Sequence, residues 1–236
     1  MALVNSPNAL RFLEIMGTNA GRNAFMGSAE DLPSVPSGVL TNVHRSVGTA
    51  VDRVKALEWD KTRLPPQKHH AAKKLADAAL AEIQKARADL KSWAERETAA
   101  AMAEVERKLE PEGGSSAAVV RSEIRTFVRS SLTGDKAADF TAQLRGLVET
   151  DKRFADAILE APAALSGLTP ERLASLRVDA AAAYAPEASM RVKVARDVAG
   201  LDAKLASVAA ELPGSFYDLK IAAGMATRVN TDSLAE

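Results

Sequence analysis

Three histidines are the first residues to test for metal or acid–base chemistry: His44, His69 and His70. Adjacent positions on a helix point about 100° apart, so His69 and His70 do not bind one metal ion together without a third group between them. The carboxylates are scattered, and no pair lies in an apolar setting that would separate their pKa values for catalysis. We therefore predict neither a metal site nor paired-carboxylate chemistry, and we expect capping or solvated histidines.

The sequence also lacks the motifs of nucleophilic and phosphate chemistry. It contains no cysteine, which excludes disulfides, thiolate ligands and cysteine nucleophiles. The glycines from Gly17 to Gly27 follow no predicted strand and precede no Gly-Lys-Ser/Thr, so they do not form a phosphate-binding loop. No serine lies in a nucleophile elbow. We predict that the protein is not an enzyme and uses no cofactor.

Two groups of cations remain as candidates for binding. The first group lies before and within the start of a long predicted helix, where cations oppose the helix dipole and are better placed beside an anion. It consists of Lys61, Arg63, Lys68, Lys73 and Lys74. The second group follows one helix face at i, i+4 spacing, a geometry that can track a phosphate backbone or an acidic helix, and consists of Arg121, Arg125 and Arg129. Solvent, carboxylates of a neighbouring protein and phosphate are the alternative environments for these side chains.

The longest element lies between Pro65-Pro66 and Pro111, where residues 67–110 contain no glycine or proline. An unbroken helix of that length spans roughly 66 Å, more than a compact domain needs, so we predict that it projects. Its apolar residues follow a 3–4 spacing up to Trp93, and a second register begins after a polar break. The first register contains Ala76, Ala79, Ile83, Ala86, Leu90 and Trp93, of which Ile83, Leu90 and Trp93 are the predicted helix contacts. The second register contains Met102, Val105 and Leu109, so the helix is predicted to have two contact zones.

A second helix begins at Ala185-Pro186-Glu187 and has the clearest pattern in the chain. Its predicted contact residues follow spacings of 3 and 4, which is a narrow seam suited to one facing helix. They are Met190, Val194, Val198, Leu201, Leu205, Val208 and Leu212. The partner is predicted to be part of the long helix or a copy of this helix in a neighbouring subunit. From Pro213 we expect a tail that ends in the polar residues 227–236.

The remaining segments favour shorter helices. Ser6-Pro7 and Thr169-Pro170 are typical helix starts, and five valines at helical spacing predict a helix over residues 37–60. Residues 118–128 fit a helix better than the alternative strand. Glycines and prolines interrupt residues 17–36, which predicts an extended arm.

The composition agrees with a helical protein. Hydrophobic residues make up 47% of the 236 positions but aromatic residues only 4%, and alanine is abundant, which favours closely packed helices. We predict an all-α fold with a long projecting helix or helical hairpin, a bundle of shorter helices and an extended N-terminal arm. Along the chain we expect a short helix and arm at 1–36, a helix and the long helix at 37–111, and a helical bundle with a tail at 112–236.

Charge and hydropathy narrow the class of partner. The 31 basic residues balance the 31 acidic ones, so the whole chain has no net field that would attract a polyanion or a membrane. The first residues do not resemble a signal peptide, and no stretch approaches the roughly 20 apolar residues of a membrane span. We expect a soluble protein that is made in a cytoplasm, or released from one inside a particle.

The arm at 17–36, the long helix at 67–110 and the cysteine-free, alanine-rich composition resemble helical structural proteins of tailed-phage virions, which lie around the capsid, portal and neck. The resemblance implies a non-enzymatic assembly protein of the virion, with a homo-oligomer or shell and connector proteins as partners. One alternative is a helical nucleic-acid-associated protein that uses the two cation groups. Another is a cellular coiled-coil adaptor in the cytoplasm.

Overall fold

The computed structural model describes residues 3–111, 113–133 and 137–224, and all regular secondary structure in these ranges is helical. This confirms the predicted all-α class and the presence of one very long helix. The first four helices are α1 (Pro7–Met16), α2 (Asn19–Met26), α3 (Ser34–Trp59) and α4 (Pro65–Lys108). The next are α5 (Ser115–Ser131), α6 (Ala137–Thr150), α7 (Lys152–Leu159), a 3-10 turn (Ala163–Ser166), α8 (Pro170–Tyr184), α9 (Pro186–Phe216) and α10 (Leu219–Ala223).

Local capping chemistry explains several helix starts. The Ser6 hydroxyl accepts a hydrogen bond from the Ala9 amide at 3.1 Å, and Pro7 occupies the first position of α1. Thr169 caps α8 in the same way, with Pro170 next to it. At α4 the Gln67 side chain accepts from the Leu64 amide at 3.0 Å, which is half of a capping box. The residues that determine these helix starts therefore lie within one turn of each start.

The structure does not clearly show the extended arm predicted for residues 17–36. Thr18 caps α2, and Met26 at the end of α2 is fully buried. Gly21 permits this packing, because a Cβ atom there would lie 2.0 Å from the Ile15 carbonyl oxygen at the end of α1. Gly21 therefore allows two short helices to approach closely. The sequence pattern alone had suggested an irregular chain in this segment.

The described residues group into two compact units. Unit 1 is built from the chain before Glu95 together with the chain after Arg196, and unit 2 is Glu95–Arg196. The divisions fall inside α4 and α9, at points that no loop or change in composition marks. Each of these two helices therefore contributes one part to each unit.

Unit 1 has a core of large apolar side chains. Fully buried members include Met16 of α1, Met26 of α2, Leu40 of α3, Ile83 of α4 and Leu205 of α9. Along α4 the buried positions in this unit recur every three or four residues and are Ala72, Ala76, Ala79, Ile83, Ala86, Leu90 and Ala94. This part of α4 thus packs against other helices, and the residues of the predicted first register up to Leu90 are all buried.

The end of α9 differs from the expected tail. Proline lacks the amide that the helix interior uses, so Pro213 predicted a helix end. Instead α9 continues through Pro213 to Phe216. Leu212 and Phe216 are both completely buried, and their burial stabilises the additional turn. The polar residues 227–236 lie outside the described residues.

Unit 2 contains two cores. The larger core joins α5, α6, α7 and α8 and includes Val128, Leu144, Val148 and Ile158. The smaller core joins the end of α4 to the start of α9 and consists of Ala101, Val105, Ala185 and Ala188. Alanines dominate this second core, so the backbones approach closely and little apolar surface is enclosed.

Candidate interaction surface

The first cation group lies in unit 1, around the turn between α3 and α4. Three of its members have partners within the chain. Lys68 Nζ donates to the Glu58 carbonyl at 2.9 Å, Arg63 Nε lies 3.3 Å from Asp60 Oδ2, and Lys73 Nζ lies 2.8 Å from Asp77 Oδ2. Lys61 and Lys74 are exposed.

The position of α3 explains these cations at the start of α4. The last carbonyl groups of a helix have no intrahelical donor and carry partial negative charge. Glu58 belongs to the last turn of α3, so the Lys68 ammonium satisfies one of these carbonyls. Hydrogen bonds from Thr62 and the Arg63 charge keep the pKa of Asp60 below its ordinary value. The anion that the sequence seemed to require is therefore supplied largely by the protein itself.

The second cation group lies in unit 2, and two of its three members are largely buried against α7. Arg121 Nε lies 2.7 Å from Glu160 Oε2, and Arg125 lies 3.7 Å from the same oxygen. Arg125 also donates to the Ala157 carbonyl at 3.2 Å. Arg129 remains exposed.

These contacts meet at the C-terminus of α7. Arg177 of α8 donates to the Leu159 carbonyl at 3.2 Å, so two guanidinium groups satisfy terminal carbonyls of this helix. Positive charge is favourable at a helix C-terminus because of the helix dipole. The i, i+4 spacing that suggested a phosphate contact thus positions Arg121 and Arg125 to hold α5 on α7, and Arg177 makes the corresponding contact from α8.

The histidines are distributed over two helices. His69 is buried and its Nδ1 accepts a hydrogen bond from the Asp218 amide at 2.9 Å, so it is not the solvated residue that we expected. Burial lowers the pKa of His69, although the Asp218 carboxylate opposes the shift. His44 is half-buried, and burial and the nearby Arg22 lower its pKa. His70 is half-buried.

The predicted contact residues of α9 separate into two sets. Val198, Leu201, Leu205, Val208 and Leu212 are buried in unit 1. Val194 is only half-buried, and Met190 is 59% exposed. At this end of α9 the buried residues are Ala188 and Ala195 instead. The seam changes register here because α9 enters unit 2 and meets different neighbours.

The predicted contacts of α4 show the same behaviour. Ile83 and Leu90 are buried, whereas Trp93 is half-buried and the neighbouring Ala94 is buried instead. In the second register Val105 is buried, Leu109 is half-buried and Met102 is exposed. The buried position next to Trp93 is Ala94, and the buried position next to Met102 is Ala101.

Arg191 fixes the α4–α9 contact within unit 2. Its Nη1 lies 2.9 Å from Glu104 Oε2, and its Nε pairs with Glu97. The two glutamates are seven residues apart on α4, so both lie on the face that meets α9. The hydrogen bonds that Arg191 donates to Glu97 and Glu104, together with the charges of these carboxylates, raise the pKa of Arg191. This ion-pair network and the alanine core together set the register of the two helices.

Beside this contact lies an open groove of about 1240 Å³. The end of α4, the face of α8 and the start of α9 line it. Three large apolar side chains in the lining remain strongly exposed: Met102 at 41%, Val178 at 67% and Met190 at 59%. The alanine-rich core accounts for the groove, because its small residues leave the larger side chains beside them without cover.

Charged residues flank the apolar lining. The α4 side carries Glu106, Arg107 and Glu110, and the α9 side carries Lys193 and Arg196. All five are exposed, and none makes a side-chain ion pair within the ranges that the structure describes. We call this surface, with Met102, Val178 and Met190 at its centre, the unit 2 groove.

Sequence reasoning named Met102 and Met190 but assigned them to buried helix contacts, and it did not name Val178. The signal that it missed is the run of alanines at 99–101 and 180–183. Small residues on facing helices allow the two backbones to approach closely. The helices can then pack on their alanines, and the larger neighbouring side chains remain exposed. Met102 directly follows the first alanine run, so one part of the groove could have been anticipated, but its depth depends on the tertiary arrangement.

No family model, curated protein or solved structure matches the chain. Within the described ranges, no His, Asp and Glu side chains cluster in a way that would hold a metal ion. No described helix combines the length and hydrophobicity needed to cross a membrane.

Proposed function

We propose that the protein is a non-enzymatic assembly component that acts through helix–helix contacts with neighbouring subunits. In line with the resemblance noted in the sequence, we propose a tailed-phage virion as the assembly, with a position near the capsid, portal or neck. The observation that supports an assembly function most directly is the unit 2 groove. Large exposed apolar patches with a charged margin are typical of protein interaction sites, and grooves between helices commonly accept a partner helix.

The arrangement of the cations supports this proposal over a nucleic-acid-associated function. Arg121, Arg125 and Lys68 contact carbonyl and carboxylate groups of the protein itself. Side chains that neutralise helix ends are not free to release counterions from a phosphate backbone. A DNA-binding measurement over a range of salt concentrations tests the alternative. A steep fall of the affinity with rising salt would favour it over assembly.

The experiment that tests the assembly function combines two measurements on the full chain. Sedimentation velocity gives the mass of the purified protein over a range of concentrations, and mass spectrometry of purified particles shows whether the chain is a component. We expect self-association or a fixed copy number in a particle. A protein that stays monomeric at every concentration and occurs in no particle would contradict the proposal. A single copy bound to one cellular helix would favour the adaptor alternative instead.

A further inference from the structure

The unit 2 groove has the chemistry of a self-complementary surface. We propose that it binds the same groove of a second copy of this chain, with the α4 side of each copy facing the α9 side of the other. This inference rests on the proposed assembly function and adds the identity of one partner and the residues of one contact. The argument depends on the charges at the margin and on the apolar residues between them.

The charge distribution selects the second copy as the occupant. Glu106 and Glu110 lie on the α4 side, and Lys193 and Arg196 lie on the α9 side. The other two charged lining residues are already engaged in unit 2, since Glu160 pairs with Arg121 and Arg177 binds the end of α7. Arg107 also lines the α4 side of the groove, so this side has two carboxylates and one guanidinium.

In a two-fold symmetric dimer, this charge distribution favours one relative orientation of the two copies. In a symmetric dimer, each contact between residue i and residue j occurs twice. Glutamates that meet Lys193 and Arg196 of the second copy therefore form two identical sets of opposite charges. The alternative two-fold arrangement places α4 against α4 and α9 against α9, and like charges would then face each other across both contacts. Electrostatic complementarity thus favours one relative orientation of the two copies.

The centre of the groove supplies the apolar contact. Met102, Val178 and Met190 would lose their exposure to water in such a dimer. Methionine side chains are unbranched and adapt to irregular surfaces. The methionines of one groove can therefore adjust to the surface of the second groove when the two copies bind. The charges then determine the orientation, while the buried apolar area stabilises the association.

Paired charge reversals test this arrangement in the full chain. The acidic-side variant is Glu106→Lys with Glu110→Lys, and the basic-side variant is Lys193→Glu with Arg196→Glu. All four positions are exposed, so we expect both variants to fold, which circular dichroism and thermal melting check. Each variant alone should weaken self-association at least tenfold in sedimentation equilibrium. An equimolar mixture should restore association. In the mixed dimer, the α4 side that has become basic meets the α9 side that has become acidic, and the two unchanged sides, which already have opposite charges, meet each other.

Two controls separate pairing from a general charge effect. Glu14→Lys with Glu30→Lys, and Arg45→Glu with Lys204→Glu, change the net charge by the same amounts at exposed positions of unit 1. They should leave the dissociation constant within twofold of the wild-type value. A chain that carries all four groove reversals should again form homodimers, and Met190→Asp should abolish them.

The outcomes distinguish this inference from the proposed function. If the wild-type protein self-associates and the groove variants do not weaken it, the groove pairing is wrong and the assembly function stands. If each reversal weakens association but the mixture fails to restore it, the two-fold pairing is also wrong. A wild-type chain that is monomeric but present in particles overturns the pairing alone, whereas a monomer absent from all particles overturns both.

Discussion

The imidazole of His69 connects the start of α4 to the residues before α10. Its Nδ1 accepts a hydrogen bond from the Asp218 amide, so the neutral form of the ring fits this site. Burial lowers the pKa of His69 in the folded protein, while the unfolded chain has the ordinary value of about 6.5. The folded and unfolded states therefore bind protons differently in mildly acidic solution.

We predict that the free energy of unfolding falls as the pH decreases below about 6.5. Above this pH the ring is neutral in both states and its full contribution is present. Below it the unfolded chain binds a proton that the folded chain resists, until the pH reaches the lowered pKa of the folded state. Urea titrations at several pH values measure the effect. His44 should contribute in the same direction, because burial and Arg22 lower its pKa as well.

A matched pair of variants isolates the His69 contribution. His69→Asn keeps an acceptor near the position of Nδ1 but removes the titration, so the fall in stability with acid should become smaller. Ala78→Asn, at an exposed position of the same helix, introduces the same side chain without removing a titrating group, so it should leave the pH dependence of the wild type unchanged. An identical acid response in all three proteins would show that His69 does not couple folding to protons.

Glycine at position 21 is required by close packing. A Cβ atom there would meet the backbone of Ile15, which cannot move as a side chain can. We predict that Gly21→Ala lowers the free energy of unfolding by about 1–3 kcal/mol, the usual range for overpacking. Thermal and urea denaturation measure the change.

Gly200→Ala is the matched control, because Gly200 lies inside α9 with open space around its Cα. Alanine is the better helix former, so this variant should be stabilised by about 0.5–1 kcal/mol. The contrast in sign identifies packing rather than helix propensity as the cause at position 21. Equal effects of both substitutions would contradict this explanation.

At the scale of secondary structure, the C-terminus of α7 is the point where three helices meet. Arg125 satisfies the Ala157 carbonyl and also approaches Glu160. We predict that Arg125→Met lowers the free energy of unfolding by about 1–3 kcal/mol, since a carbonyl in a largely buried setting loses a charged donor. Methionine keeps most of the apolar stem, so the loss reports on the polar contact.

Arg129→Met provides the comparison within the same stripe. Arg129 is exposed, so its replacement should change the stability by less than about 0.5 kcal/mol. Urea denaturation of both variants measures the difference. If both changes are equally small, the arginine stripe does not hold α5 to α7, and its cations are free for another role.

The helices themselves were largely predictable from the sequence. Ser6-Pro7 and Thr169-Pro170 begin helices because their capping chemistry is local, and it depends on residues within one turn. The long helix was clear from the absence of glycine and proline, and the structure extends it from Pro65 to Lys108. The α2 helix was missed because its one glycine, Gly21, serves a contact with α1 that the sequence pattern does not reveal.

The register of the long helices was less predictable than their existence. A seam of large apolar residues led to Trp93 and Met190, whereas Ala94, Ala188 and Ala195 are the buried residues in the structure. Apolar periodicity ranks residues by hydrophobicity, but the separation between two helices determines which size fits. The cations were assigned to the correct helices, but their partners come from other elements, so spacing along one helix did not identify them.

At the scale of the whole molecule, unit 2 is continuous in sequence and has cores of its own. Its larger core comes entirely from α5 to α8 and includes Leu144 and Ile158. We predict that a fragment of residues 95–196 folds without the rest of the chain, because a unit with its own core can fold independently. Circular dichroism should show helix, and urea should unfold it in one cooperative transition. A fragment that unfolds gradually would contradict this prediction.

Unit 1, in contrast, joins the beginning of the chain to α9, which is synthesised about a hundred residues later. During translation, the apolar faces of α1, α3 and the first part of α4 leave the ribosome before Leu205 and Leu212 exist to cover them. Unit 2 has all its residues before unit 1 is complete, so it is the first to finish folding on a growing polypeptide. A nascent chain whose residues up to Arg196 are outside the ribosome, while Leu205 is still inside the exit tunnel, would therefore have one finished unit and one that chaperones still recognise.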